Sequence, residues 1–539
     1  MSPEPRTFAL AFVFLLIAWP VAGAAPAAPA TADPGGSVAA TTLAANDTDV
    51  RRGSADGGST LAASTADRPV INHTYALDRT PGTDNSVEVR SIVEVPDNLL
   101  EFTLALPPSV TIQSTDGFEQ VDSNRVTWDD DASTRRPTVT YTLAANRRSD
   151  GFGLISVETD SYAFVDSGAF TGATSWRYST SQPAPRYETS VTTRGEGYAT
   201  GEFAYMGAYT TQSFDGSQSF TYVETAPSSP DVPATDLMRG LSDVGASFDV
   251  GERDDRVVLF APPAVLRLGG RAGDTSLWVN VDDGFDEGDW QAWEVWYHEY
   301  VHTRQNISAE SGDGAYWLLE GSADYYGGYF AWQAGHMTAD EFRTYLATDE
   351  HADTRLTEAV QGGDNREYTK GRRVIGALDI RIRQETDGRR TLADVLRRVN
   401  SRDVTSHSQF RAIVRDVAND SDGSLGDWLD RYATTTEAPA IPDDVAAAYD
   451  TGDTGDTNDT SGPPPLEGRS SAPSDPDDDG LYEDVNGDGD VTPGDATVLF
   501  DAIFDGDPAV TDNVGAFDFS GDDSLAPGDA TVLFGEAFG

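Results

Sequence analysis

Apolar and polar residues alternate with a period of two through most of 69–222. SVEVRSIVEV from Ser86, LLEFTLAL from Leu99, NRVTW from Asn124, PTVTYTL from Pro137 and GLISVETDSYAFV from Gly153 all follow it. That period puts like residues on one face of a pleated strand. TPGTDN and DDDAS between the runs supply turn residues. The pattern predicts an antiparallel β-sandwich within a β-rich domain over 69–235, closed by the boundary segment TAPSSPDVPAT (Thr225–Thr235). Its expected role is structural support. Beyond it, DRVVLFAPP and DTSLWVNV read as strands, the second as an edge able to hold a peptide in extended form. From Phe330 to about Tyr432 the spacing changes to three and four, in VIGALDIRIRQE, TLADVLRRV and FRAIVRDVA, which predicts helices. The fold class expected is therefore multidomain α+β.

Between the strands and the helices stands WEVWYHEYVHTRQNISAESGDGAYWLLEGSADYYGGYF, Trp293–Phe330. It contains His298-Glu299-Tyr300-Val301-His302, an H-E-x-x-H pattern in a chain with six His in all. Residues four apart share a helix face, so both imidazoles can meet one metal ion while Glu299 polarises a water. Trp293, Trp296, Tyr297, Tyr300 and Val301 make the stretch apolar and hence buried, where two His and a Glu need partners that a metal supplies. A hydrolytic zinc site takes a third protein ligand. Glu320 in WLLEGSADYYGGYFAWQ is the candidate, with Asp324 one turn on to hold a ligand histidine by its other ring nitrogen. The constellation is that of a metallopeptidase acting on peptide or protein substrates.

Charge and composition narrow the setting. The 539 residues include 37 basic and 90 acidic ones, a formal net charge of -53, and the single lysine is Lys370. Such self-repulsion is relieved when salt shortens the Debye length. The composition is similar to that of secreted proteins of extreme halophiles. Aromatic content of 10% excludes a disordered acidic chain, and the charge excludes nucleic acid as a partner. Residues 1–24 read as a signal peptide, with an apolar run from Phe8 to Val21 and then Ala22-Gly23-Ala24. No later run is long enough to span a bilayer, so a secreted, extracellular product, free or held at a surface, is expected. No Cys is present, so stability has to come from packing and ions. Residues 25–68 and 446–474, rich in small and polar residues, read as flexible linkers.

The C-terminal stretch 475–539 repeats PGDATVLF at Pro493–Phe500 and Pro527–Phe534, each copy closing an acidic loop. In the first loop Asp484, Asn486, Asp488, Asp490 and Asp495 stand at ligand positions around Gly489. In the second, Asp518, Ser520, Asp522 and Asp529 correspond, with Asp523 replacing the glycine. Oxygen ligands at this spacing are Ca²⁺ chemistry, for one or two ions. A carboxylate at position twelve followed by a single helix resembles the dockerin module of paired loop–helix halves. That resemblance implies a cohesin-like or cell-surface protein as partner.

A second resemblance rests on Trp317, Glu320-Gly321, Asp324-Tyr325-Tyr326 and Tyr368-Thr369-Lys370-Gly371. Together they resemble the gluzincin metallopeptidases, similar to the membrane alanyl aminopeptidase family and, further along, to the glycyl aminopeptidase family. YTKGRRVIGALDIRIRQETDGRRTLADVLRR resembles the helical tail of the latter. The likeness spans roughly 256–442 and implies a mainly helical, thermolysin-like zinc peptidase domain over 236–445. It implies His298, His302 and Glu320 as zinc ligands, Glu299 as general base and Tyr368 as oxyanion donor. No G-x-M-E-N-like motif precedes the helix; LGGRAGDTSLW with Gly270 stands in its place, which leaves exo- and endopeptidase action both open. The alternative is a catalytically inert surface adhesion or scaffold protein with a peptidase-like fold.

Overall fold

The computed structural model describes residues 37–42, 68–449 and 463–536, apart from short stretches such as 226–231, 281–289 and 475–480. The chain forms two units, Met1–Gly452 and Asp453–Gly539. The signal-peptide stretch and most of both linkers lie outside the described residues. Two parts of those linkers are ordered elements instead. Ser37–Thr42 is a strand paired antiparallel with Ala173–Ser179, and Val445–Tyr449 is a helix whose Tyr449 ring lies 5.5 Å from Trp332. Composition hid the strand because ladder hydrogen bonds come from the backbone, which small side chains do not impede.

Two five-stranded sheets form the N-terminal sandwich. One runs in the order Ser37–Thr42, Ala173–Ser179, Leu99–Ala105, Arg125–Asp129, Glu119–Gln120. The other runs Arg186–Thr193, Val70–Arg79, Ser86–Glu94, Thr138–Ala144, Val110–Asp116. Tyr75, Val89 and Tyr141 from the second share one core with Phe102, Val126 and Trp128 from the first. Along Ser86–Glu94 every second position is buried and those between are half-buried or exposed, which is the predicted period of two realised. The sandwich is not wholly antiparallel, since Arg186–Thr193 runs parallel to Val70–Arg79. A smaller four-stranded sheet, which includes Ala163–Asp166 and Phe203–Met206, follows it.

A further five-stranded sheet supports the helices, in the order Tyr209–Asp215, Ser219–Thr225, Arg256–Ala261, Ser276–Val279, Gly270–Ala272. Its first two strands fall inside the stretch read as the β-rich domain, yet they belong here. Helix α1 (Ala234–Ser247) carries the chain across so that Arg256–Ala261 lies parallel to Ser219–Thr225. The edge also differs from expectation. Ser276–Val279 is an inner strand, and the order ends on Gly270–Ala272, antiparallel to it. The two share a tight hairpin, so the later strand is inserted and the earlier one is left outermost.

The helices are α2 (Trp290–His302), α3 (Trp317–Gln333), α4 (Ala339–Leu346), α5 (Arg366–Glu385), α6 (Leu392–Asn400), α7 (His407–Val417), α8 (Ser424–Thr434) and α9 (Val445–Tyr449). In the second unit, α10 (Pro493–Asp505) and α12 (Pro527–Glu536) carry the two sequence repeats, with α11 (Pro508–Thr511) between them. Val485, Leu499, Phe517 and Leu533 are buried in that unit's own core.

Helices α3 and α5 meet at a pair of glycines. A Cβ on Gly371 would stand 3.0 Å from the Gly321 Cα, and one on Gly321 would stand 3.1 Å from the Gly371 Cα. Both neighbours are backbone, so neither can swing away. In a free helix a glycine costs about 1 kcal/mol relative to alanine; here steric exclusion outweighs that propensity. Gly371→Val should therefore lower the thermal unfolding midpoint by several degrees, although valine is the better helix former, and unchanged unfolding would show that the helices have room to part.

Candidate metal centre

Helix α2 sets Glu294, His298 and His302 on one face at four-residue spacing. Helix α3 brings Glu320 to them from its first turn. The Nε2 atoms of His298 and His302 are 3.0 Å apart, and Oε2 of Glu320 lies 3.4 Å from the first and 3.3 Å from the second. Ligand bonds of about 2.0–2.1 Å in tetrahedral array separate donor atoms by roughly 3.3 Å. The three side chains thus stand at the spacing of one ion's coordination shell, and all are buried or nearly so.

Polar groups stand behind both ligand histidines, on the Nδ1 side of each ring. His302 Nδ1 lies 2.6 Å from Gln305 Oε1, while the Gln305 amide donates to Leu319 O (3.0 Å) and Ser322 Oγ (2.8 Å). With both amide hydrogens spent, Gln305 can only accept from the ring, which leaves the His302 Nε2 lone pair facing the centre. His298 Nδ1 is 3.3 Å from Asp324 Oδ1, and Asp324 Oδ2 accepts from Arg372 Nη1 at 2.7 Å. Two nitrogens and a carboxylate converging in a buried space repel one another unless a positive charge sits among them.

The electrostatics agree. Burial opposes a charge on His298, yet the Asp324 and Glu320 carboxylates, placed to accept from its ring, raise its pKa well above the usual imidazole value. Burial alone would push the Glu320 carboxyl up; His302 and His298 overcome this and hold it well below the carboxylate range. The pocket stabilises positive charge, and its donor set of two imidazoles and one carboxylate fits zinc.

Glu299 and Tyr368 complete the neighbourhood. Glu299 is buried beneath the edge strand, where a Cβ on Gly270 would come 2.7 Å from its Cγ, so only glycine lets strand and carboxylate coexist. Tyr368 in α5 is buried with its ring 6.2 Å from that of His298 and nearly parallel to it, at 18°. Glu367 beside it has its pKa pushed up to about 7 by burial, with the charge of Glu320 adding to the shift.

The sequence reading did not identify Glu294, Gln305, Tyr345 or Arg372. Glu294 and Gln305 leave a local signal, an acid four residues before His298 and an amide three after His302. Tyr345 and Arg372 leave none, because α4 and α5 bring them from elsewhere. Tyr345 Oη lies 2.8 Å from Glu294 Oε1 and 2.9 Å from Asp324 O, and the Arg372 guanidinium stacks 3.9 Å over its ring. Glu294, His298 and Asp324 also offer ligand atoms close together. Arg372 already supplies the cation there, so this group is an ion-pair network. Burial pushes the Glu294 carboxyl up to about 7, with Asp324 adding to the shift. Lys370 is spent structurally, its Nζ donating to Thr354 O (2.5 Å) and Thr435 O (2.9 Å).

In the C-terminal unit the two loops close alike. Asp495 accepts from Asn486 N (3.0 Å) and Thr492 N (2.9 Å); Asp529 accepts from Ser520 N (2.9 Å) and Ala526 N (2.8 Å). Asp484 is buried and accepts from Ser474 Oγ at 2.6 Å, while Ser520 Oγ donates to Asp518 at 3.2 Å. Asp488, Asp490 and Asp522 lie outside the described residues.

Removing the guanidinium that faces Asp324 takes the permanently charged partner from a buried carboxylate, and breaking such a pair costs about 3–5 kcal/mol. Arg372→Met should show a loss of that order in denaturant unfolding together with weaker retention of zinc against a chelator; a loss below about 1 kcal/mol, the worth of an exposed pair, would show the site to be wet.

No protein-family model matches the chain, and no curated protein sequence does. Among solved structures it is similar to an aminopeptidase N family protein from Idiomarina loihiensis, at 13% identity over 69% of this chain and 74% of that one, with a TM-score of 0.46. It is similar to the M1 zinc metallopeptidase from Deinococcus radiodurans at 15% identity, over 70% of this chain and 96% of that one, with a TM-score of 0.46. Yeast LTA4 hydrolase in complex with bestatin is similar at 12% identity, over 70% of this chain and 69% of that one, with a TM-score of 0.41.

Proposed function

We propose that the chain is a zinc-dependent peptidase, exported from the cell and attached to a partner through its C-terminal unit. The observation that carries the catalytic part is the convergence of His298 Nε2, His302 Nε2 and Glu320 Oε2 to within 3.4 Å in a buried pocket, with Glu299 and Tyr368 beside it. Zinc bound at these three residues supplies Lewis-acid polarisation of the scissile carbonyl and an acidified water. Glu299 takes the proton of the attacking water and passes it to the leaving amine. Tyr368 donates a hydrogen bond to the oxygen that gains charge, a contribution of about 2.7–4 kcal/mol where such a donor has been removed. Asp324 and Gln305 hold the two imidazoles in the tautomer that binds metal.

Export is supported by the Phe8–Val21 run and the small residues after it. Among the described residues no helix is long and apolar enough to cross a membrane. Excess acid with one lysine supports a high-salt setting. Calcium binding is supported by Asp484, Asp495, Asp518 and Asp529 at the first and twelfth positions of two equal loops. Attachment is supported by Phe500 and Phe534, which occupy the same position of each repeat and are 43% and 47% exposed, with Phe504 beside the first at 66%. Large exposed rings gathered on one small unit mark an interaction surface.

Glu299→Gln should retain one zinc per chain and lose hydrolysis of peptides, whether free or blocked at the N-terminus, assayed at high salt; full activity would remove the general-base role. Tyr368→Phe should lower kcat by about 10²–10³-fold with KM nearly unchanged. An unaltered kcat would leave Tyr368 as a packing residue.

A further inference from the structure

Tyr368 stands in the first turn of α5, the part of a helix where N–H groups lack intrahelical partners and fraying begins. The N-cap residue, Asn365, sits at φ 61° and gives that turn no side-chain hydrogen bond. The turn is held from outside instead. Arg366 Nη1 donates to Arg355 O at 3.0 Å, and His351 Nδ1 lies 2.9 Å from Thr369 Oγ1.

Two further cations bind the same region on both sides. Lys370 Nζ donates to Thr354 O at 2.5 Å and to Thr435 O at 2.9 Å. One turn on, Arg373 donates from Nη1 to Thr348 O and Asp349 Oδ1, both at 2.9 Å, and from Nε to Pro439 O at 2.7 Å. Each cation thus joins a carbonyl of the loop after α4 to a carbonyl of the segment after α8, across the N-terminal half of α5. Lys370 is buried, where an ammonium without acceptors would be costly. Every other basic residue of the chain is Arg. The one lysine stands where two carbonyls converge on a compact point charge, a place for which a planar guanidinium is the wrong shape.

The segment after α8 is anchored at its far end as well. Within 435–449, Ile441, Val445, Ala448 and Tyr449 are buried in the core that also holds Val374 and Leu378 of α5. The Tyr449 ring lies 5.5 Å from Trp332 and 5.9 Å from Phe342, and the Arg383 guanidinium of α5 stands 5.4 Å over it. The segment is a strap along α5, tied near Tyr368 by Lys370 and at the other end by Tyr449.

We propose that Lys370 and Arg373 are positioning residues for Tyr368, and that the strap 435–449 and the loop after α4 act through them to fix where the phenol stands relative to His298. The Tyr368 ring lies 6.2 Å from that of His298, and a displacement of about 1 Å in a reacting group can cost about 10²-fold in rate. The catalytic part of this rests on the peptidase reading, whereas the hold on α5 does not.

The test uses the full-length, zinc-loaded protein with Lys370→Met and Arg373→Met, each alone and combined with Tyr368→Phe. Either replacement alone should lower kcat about tenfold or more, with KM moved less than twofold and one zinc retained per chain. In the Tyr368→Phe background the same replacements should change kcat less than twofold, because no hydroxyl is left to misplace. Amides of 368–371 should exchange about tenfold faster in the single variants while those of α2 stay unchanged. Arg373→Lys, which keeps a donor for the carbonyls, should recover most of the lost kcat. Should Lys370→Met fail to fold, Arg373→Met, at a side chain 13% exposed, carries the measurement. Losses of kcat equal with and without the Tyr368 hydroxyl, or exchange rising evenly through the unit, would overturn the proposal. Faster exchange confined to 368–371 in a protein that cleaves nothing would support the hold on α5 and remove the peptidase reading.

Discussion

The close crossing of α3 and α5 is the constraint on which the rest of the site depends. Glu320 precedes Gly321 and Tyr368 stands three residues before Gly371, so the glycine contact sets how near the carboxylate and the phenol come to the histidines of α2. With larger side chains at that crossing the helices would separate by about the width of a methyl group or more. A coordination shell tolerates only a few tenths of an ångström, so that separation would dissolve it. What looks in the sequence like a pair of motif glycines is, physically, the absence of two side chains.

Around that crossing the charges are arranged to favour a cation in one place and to satisfy themselves elsewhere. Glu320 faces two imidazoles, whereas Asp324 one turn later faces His298 on one side and Arg372 on the other. Both carboxylates are buried but do different work, because Asp324 meets a guanidinium whereas Glu320 meets two imidazoles. Burial makes each arrangement decisive, since an uncompensated charge there is far more costly than at the surface. The β part extends the same logic outward, with Asp166 paired to Arg271 and Glu202 accepting from Ser276.

Much was readable from the chain alone. Alternation in SVEVRSIVEV is enough to make a half-buried strand, and four-residue spacing of His298 and His302 is enough to place both on one helix face, because both follow from local backbone geometry. The strand at Ser37–Thr42 was not readable, since nothing in SVAATT requires a partner until Ala173–Ser179 offers one. The assignment of Tyr209–Asp215 and Ser219–Thr225 was likewise out of reach, because alternation marks a strand without naming its sheet.

The sequence by itself determined which residues could bind a metal, which stretches were strands or helices, and that the chain is highly acidic with two matched C-terminal loops. Only the tertiary structure decided that Glu320 meets His298 and His302, that Gln305 and Arg372 hold what lies behind them, and that Gly270–Ala272, not Ser276–Val279, is the outer strand. The reason is one of range. Periodicity and spacing act within a few turns of chain, while a coordination shell or a sheet order depends on side chains and backbones brought together by packing between segments far apart in sequence.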